Sequence, residues 1–174
     1  MKKLIIVTII VFSFVVAQNQ FKYHLGLSAS GIGGSGLTYR HYMGDDNIRF
    51  AGFIYAEDGD VTNELGFAFE KSFIITKYTR LYGVVGLEHQ YIKDSYEDWD
   101  YQTDTSSHGV SRYSLMGVGI GFGVEATFFD HISVYIEAGE RFYSTNGSRR
   151  YWDDEDEDTT GISPVATIGI GYSF

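Results

Sequence analysis

Residues 116–128 read MGVGIGFGVEATF, in which large apolar side chains alternate with glycine or polar residues. The odd-numbered positions from Gly117 to Thr127 are small or polar, whereas the even-numbered positions from Met116 to Phe128 are apolar. A period of two is typical of a β-strand with one face in apolar surroundings. This segment therefore predicts a strand whose two faces meet different environments.

The same period recurs beyond the first 17 residues, with Gly, Asn, Asp and Ser separating the segments. It predicts eight consecutive strands, each pairing with the next. The only proline, Pro164, falls near the start of the last strand, where a missing N–H is tolerated. The predicted strands are Lys22–Ser30, Gly36–Met43, Ile48–Glu57, Thr62–Phe73, Arg80–Ile92, Tyr113–Phe128, Ile132–Ser144 and Ile162–Phe174.

The connections that follow even-numbered strands are short, and the two long ones follow odd-numbered strands. Three are short turns, and two are long, polar loops that both follow odd-numbered strands and so emerge at one end. The glycine-rich segment Gly31–Gly36 is predicted to be a flexible loop. The turns are Gly44–Asn47, Ile75–Thr79 and Phe129–His131, and the long loops are Lys93–Arg112 and Thr145–Thr160.

The contents of the two faces predict which one is inside. Eight strands enclose a lumen just wide enough for side chains to fill, so several large apolar groups per strand do not fit there. With the apolar face turned to lipid, the glycine and polar face lines the lumen. The predicted fold class is therefore all-β, an eight-stranded antiparallel up-and-down transmembrane β-barrel.

The N-terminus has the three parts of a secretory signal: Lys2 and Lys3, an apolar run from Leu4 to Val16, and Ala17. The predicted organisation is a cleaved signal peptide at 1–17 and one barrel domain at 18–174. The chain has no cysteine, which excludes disulfides and thiol-ligated metals. Its formal net charge of −10 disfavours nucleic-acid binding.

The closing residues Ala166–Phe174 alternate apolar and small or polar positions and end in phenylalanine. They resemble the last strand of outer-membrane barrels, and strand number and loop asymmetry resemble the small OmpA/OmpX-like group. The resemblance implies a bacterial outer-membrane location, contacts with outer-membrane lipids and lipopolysaccharide, and recognition by the barrel-assembly machinery. The implied assembly signal consists of Ile170, Tyr172 and Phe174.

Charged residues recur on the predicted inner face, joined at the first strand by Lys22 and His24. Mutual pairing of groups that are costly to bury is the favoured interpretation, with acid–base chemistry or a proton path as the alternative. Such a filled lumen predicts negligible ion conduction. The charged inner residues are Arg40, Glu64, Glu70, Arg80, Glu88, Glu125, Glu137 and Arg141.

A run of six carboxylates in the last predicted loop is a candidate divalent-cation site. It lacks the spaced ligands and turn glycine of a calcium loop, so a solvated acidic surface is favoured. No cofactor is predicted. The run consists of Asp153, Asp154, Glu155, Asp156, Glu157 and Asp158.

Two His–Ser pairs are the only candidates for lipid A-modifying chemistry. His131 and Ser133 have the spacing of some lipid A deacylases but fall in a periplasmic turn, whereas His89 and Ser114 face lipid near the outer rim without an acid partner. The protein is therefore predicted not to be an enzyme. The favoured function is a membrane scaffold that presents acidic, aromatic-bearing loops to an extracellular ligand or surface; a small pore and a lipid A-modifying enzyme are the alternatives.

Overall fold

The computed structural model describes residues 22–29, 31–100, 105–147 and 158–174. Each strand pairs antiparallel with its neighbour along the chain, and the first pairs with the last, which confirms the predicted eight-stranded up-and-down barrel. Within these residues no helix is long and apolar enough to cross a membrane. The strands are β1 (Tyr23–Ala29), β2 (Gly36–Met43), β3 (Asp46–Glu57), β4 (Asp60–Ile75), β5 (Thr79–Asp100), β6 (Thr105–Phe128), β7 (Ile132–Gly147) and β8 (Thr159–Ser173).

The β5–β6 hairpin is the tallest part of the wall. Its pairing continues from Lys93↔Arg112 to Asp100↔Thr105, so the prediction of a loop at Lys93–Arg112 is wrong. Most residues in this part of the sequence are polar or charged, at odd-numbered and even-numbered positions alike. Alternation marks a strand only where one face is apolar, and it disappears where both faces meet water.

The β1–β2 hairpin is the lowest part of the wall. Its pairing ends at Ser28↔Gly36, and β1 closes the barrel against β8 through six registered pairs. Above that level, residues 159–167 of β8 have no strand on the β1 side, and residues 53–57 of β3 pair only with β4. We call this gap, between the β8 edge and the β3 edge above the β1–β2 hairpin, the notch.

Burial is inverted relative to a water-soluble protein. Among the described residues, the interior holds 18 buried polar or charged side chains against eight buried hydrophobic ones, whereas 33 large hydrophobic side chains are exposed. The exposed ones include Phe122 at 67% and Ile168 at 56%. Soluble monomers rarely expose contiguous apolar patches above a few hundred Å². An apolar band around a polar interior is the pattern of a barrel that spans a membrane.

Residues 31–35 turn into the barrel, and we call them the inner loop. Ile32 is fully buried in the lumen. It sits beside Gly119, where an added Cβ would lie 3.1 Å from Ile32 Cγ1. Gly33 and Gly34 have φ of 75° and 85°, a left-handed conformation that favours glycine. The structure places the predicted loop between β1 and β2 inside the barrel, where the glycines of the wall leave room for it, and its flexibility stays a prediction.

Candidate functional site

Six charged side chains meet in the middle of the lumen, and we call them the central charge cluster. The arginines come from β2, β3 and β5, and the glutamates come from β4, β6 and β7. Each is at most 4% exposed. Three positive and three negative groups balance, so the cluster is formally neutral. Its members are Arg40, Arg49, Arg80, Glu70, Glu125 and Glu137.

Arg80 lies between two carboxylates. Its Nη2 is 2.5 Å from Glu70 Oε2 and 2.7 Å from Glu125 Oε2. Arg40 bridges the same two glutamates from the opposite side, at 3.1 Å and 2.7 Å. Tyr42 donates its hydroxyl hydrogen to Glu125 Oε1 at 3.0 Å. These contacts leave each charge with at least two partners, as buried charges require.

Arg49 is a member of the cluster that the sequence did not reveal. Its two terminal nitrogens donate to the two oxygens of Glu137 at 2.6 Å and 2.9 Å, a bidentate pair. Arg49 Nη2 also donates to the backbone oxygen of Ile32 at 2.8 Å, which ties the inner loop to the cluster. Tyr82 completes this side by donating to Glu137 Oε1 at 2.8 Å.

Aromatic rings pack against the guanidinium groups of the cluster. The Arg40 guanidinium carbon lies 4.4 Å from the centre of the Tyr135 ring, and that of Arg80 lies 4.0 Å from the centre of the Tyr82 ring. These contacts are within the range of cation–π interactions. Both rings lie over glycines: an added Cβ at Gly123 would come within 2.4 Å of Tyr82. Gly123 of β6 therefore makes room for Tyr82, and Gly169 of β8 makes room for Tyr135.

A second, smaller group of charged side chains lies in the lumen, between the central charge cluster and the end of the barrel with the β5–β6 hairpin. Arg141 Nη1 donates to Glu88 Oε1 at 2.6 Å, and Glu64 Oε1 accepts a hydrogen bond from the backbone N–H of Ser35 at 2.7 Å. Glu64 and Glu88 are 8% and 7% exposed, and Arg141 is half-buried. Glu64 thus holds the end of the inner loop.

The end of the lumen next to Phe174 contains a polar group around His24. Its Nδ1 lies 2.9 Å from Ser133 Oγ and 3.2 Å from Ser173 Oγ. Lys22 is exposed, so its predicted position beside His24 inside the barrel is wrong. Lys22 lies before the first paired residue of β1, where the alternation of faces does not yet apply.

Of the two candidate His–Ser pairs, the structure brings only one together. His131 Nδ1 lies 2.9 Å from the backbone oxygen of Ser173, whereas Ser133 contacts His24 in the lumen, so they do not form a pair. His89 Nε2 and Ser114 Oγ lie 3.2 Å apart on the outer face. Neither is hydrogen-bonded to a carboxylate in the described part of the chain. A nucleophile and base without an orienting acid do not make a catalytic triad.

The acidic run stays largely untested. Residues 153–157 lie outside the described residues, and Asp158 is exposed. Within the described ranges, no group of three or more His, Cys, Asp or Glu residues is placed to hold a metal ion. The cation site therefore remains a prediction.

Ile32 provides the first test of the inner loop. Ile32→Ala should lower the free energy of unfolding in detergent by about 2 kcal/mol, the lower end for a buried isoleucine, since glycines line much of its site. It should also increase proteolytic cleavage of the inner loop. The matched control is Ile54→Ala, because Ile54 is 75% exposed on the outer face; equal unfolding midpoints for the two variants would contradict the buried position of Ile32.

No family model matches the sequence, and no curated protein matches it. Solved structures with the same architecture include the N-terminal β-barrel domain of Pseudomonas aeruginosa OprF, with 16% identity, 87% of this chain and 95% of that chain covered, and a TM-score of 0.49. Ail, the attachment invasion locus protein of Yersinia pestis, has 17% identity over 87% of this chain and 93% of its own, with a TM-score of 0.36. Acinetobacter baumannii CarO has 7% identity, with 93% of this chain and 99% of that chain covered, and a TM-score of 0.37. At these identities and TM-scores the similarity is limited to the general barrel architecture.

Proposed function

We propose that this chain is an outer-membrane barrel with a closed lumen, which anchors a projecting hairpin and the neighbouring surface loops. The observation that carries the proposal is the inverted burial: charged side chains fill the interior, and large apolar side chains cover the outside. An isolated barrel of this kind is stable only where hydrocarbon covers its outer face. We propose no catalytic activity, and the partners are lipopolysaccharide and an extracellular ligand or surface.

The closed lumen is supported by contacts that span it. The Arg40–Glu125 pair joins β2 to β6, and the Arg49–Glu137 pair joins β3 to β7, which are opposite walls in an eight-stranded ring. Ile32 lies fully buried in the lumen, between these pairs and the end of the barrel with the β5–β6 hairpin. These contacts argue against the pore, since an ion would have to displace paired charges.

Conductance tests the closed lumen directly. The wild type in planar bilayers should show no steady ion current. A variant carrying Arg49→Ala and Ile32→Ala, which removes one spanning pair and the inner-loop side chain, should show current if it remains folded. A steady current through the wild type would contradict the closed lumen and favour the small pore.

The β5–β6 hairpin supports the anchoring role, because both of its strands continue beyond the level at which the β1–β2 hairpin ends. Replacing residues 94–111 by a two-residue Asn-Gly turn keeps the Lys93↔Arg112 pair and shortens only the projecting part. We expect this variant to insert normally but to bind less purified lipopolysaccharide in the presence of Mg²⁺ than the wild type, both in phosphatidylcholine nanodiscs. The same measurement with a chelator separates cation bridging from direct contact, and unchanged binding would contradict the role of the hairpin.

A further inference from the structure

The base of the notch, next to Ala166, lies at the level of the outer half of the apolar band. Eight residues separate Ala166, beside the notch, from Phe174 at the periplasmic end. At about 3.3 Å per residue and a tilt of about 40°, Ala166 lies about 20 Å above that end, and the apolar band of such barrels is about 25 Å tall. The base of the gap therefore opens toward hydrocarbon, whereas its upper part, beside residues 159–163, lies above the apolar band.

The β8 strand borders the notch with an open edge. Ser173 N donates to the β7 side, to His131 O, whereas Phe174 N donates to Tyr23 O on the β1 side. Because backbone groups alternate along a strand, the even-numbered residues direct their N–H and C=O groups toward β1. Among the described residues, no strand meets these groups above Ile168. Pro164 falls in this register and has no N–H to leave unpaired, a common way to protect an edge strand.

A pocket of about 450 Å³ follows this edge from the outer face to the inner face. This volume is within the range of roughly 300–1,000 Å³ that is typical of ligand pockets. Its outer lining consists of members of the lipid-facing band, and its inner lining includes the guanidinium-bearing side chain of Arg141. The outer members are Ala29, Ile136, Ala166 and Ile168, and the inner ones are Gly31, Arg141, Val165 and Thr167.

Buried hydrogen-bond donors without partners lie at the inner end of the pocket and directly beside it. Arg141 Nη1 is bonded to Glu88, but Arg141 Nε has no hydrogen-bond partner within the described part of the chain. Ser163, which faces Arg141 across the β7–β8 pair, likewise has a buried hydroxyl without a partner there. The Arg141–Glu88 ion pair has no net charge. The group that would satisfy these donors is therefore an uncharged hydrogen-bond acceptor and not an anion.

We propose that one acyl chain of an outer-leaflet lipid occupies the notch. Its hydrocarbon packs against Ile136, Ala166 and Ile168, and its ester or amide carbonyl accepts hydrogen bonds from Arg141 and Ser163. The lipid covers the open β8 edge, which would otherwise face the bilayer. This inference rests on the proposed membrane location, and it adds a lipid site to the anchoring role.

Native mass spectrometry of the full chain released from phosphatidylethanolamine nanodiscs tests the site. The wild type should retain a bound phosphatidylethanolamine, and Ala166→Trp, which fills the pocket from the outer face, should not. The matched control is Ala138→Trp, because Ala138 is the exposed cross-strand partner of Ala166 and lies where the wall is continuous. Ser163→Ala should lower retention roughly threefold or more, the loss expected for one hydrogen bond.

Each other result overturns the proposal in a recognisable way. Equal retention by the two tryptophan variants, or an inserted wild type without lipid, excludes a lipid in the notch. A lipid-free dimer that Ala166→Trp disrupts means that a second copy covers the edge instead. Failure of the wild type to insert into vesicles, detected by the absence of heat-modifiable migration, removes the membrane location itself and the lipid site with it.

Discussion

Deletion of residues 172–174 is expected to abolish membrane insertion of the protein. Six registered pairs close β1 against β8, and the deletion removes two of them together with both backbone hydrogen bonds between Tyr23 and Phe174. Each backbone group left unpaired in hydrocarbon costs several kcal/mol. The shortened chain should accumulate in the periplasm of an expressing cell, as measured by membrane fractionation, and should fail to refold in detergent.

A second variant separates barrel closure from recognition of the assembly signal. Phe174→Ala keeps the backbone bonds with Tyr23 but removes the terminal aromatic ring. We expect it to refold in detergent, where no assembly machinery is present, and to insert poorly in cells. Normal insertion of the deleted chain would refute the closure argument, and normal insertion of Phe174→Ala would refute the role of the terminal ring as a signal.

Arg80→Ala is expected to lower the free energy of unfolding by about 3–5 kcal/mol, the usual cost of removing one partner from a buried ion pair. Arg80 is 3% exposed, and its Nη2 contacts both Glu70 and Glu125. Without it, the central charge cluster keeps three carboxylates and only two guanidinium groups. The measurement is urea unfolding in detergent, followed by tryptophan fluorescence.

Arg112→Ala is the control for this prediction. Arg112 is exposed at the base of the projecting part of β6, so its loss should change stability by no more than about 0.5 kcal/mol. The double variant Arg80→Ala with Glu125→Gln should recover part of the loss, because it removes one of the uncompensated charges. Equal unfolding midpoints for Arg80→Ala and Arg112→Ala would show that Arg80 is not a buried partner of the two glutamates.

The sequence predicts the fold where the two faces of a strand differ strongly. In β6 every second residue from Gly117 to Glu125 is small or charged, so its inner face is unambiguous. The eight strands and their antiparallel order could be predicted for the same reason. Strand ends were less predictable at Lys93–Arg112, since a hairpin surrounded by water needs no apolar face.

The sequence did not predict Arg49 or the inner loop. In β3 the alternation holds from Asn47 to Ala51, but the run Phe53-Ile54-Tyr55-Ala56 is apolar throughout and hides which face is inside. The burial of Ile32 depends on Gly119, which is distant in sequence and adjacent only after the barrel has formed. Glycine-rich segments are typical of surface loops, so only tertiary contact reveals this one as part of the interior.

The pairs that cross the lumen constrain the kinetics of assembly. Arg40 and Arg49 reach their carboxylates on opposite walls, 85 and 88 residues further along the chain. In an open, partly assembled sheet Arg40 and Arg49 have only Glu70 of β4 to share, so one positive charge is left without a counter-ion. Lipid would then have to cover that charge at a high free-energy cost. Curling of the sheet and its entry into hydrocarbon must therefore proceed together, in a concerted step whose transition state already brings β2 and β3 toward β6 and β7.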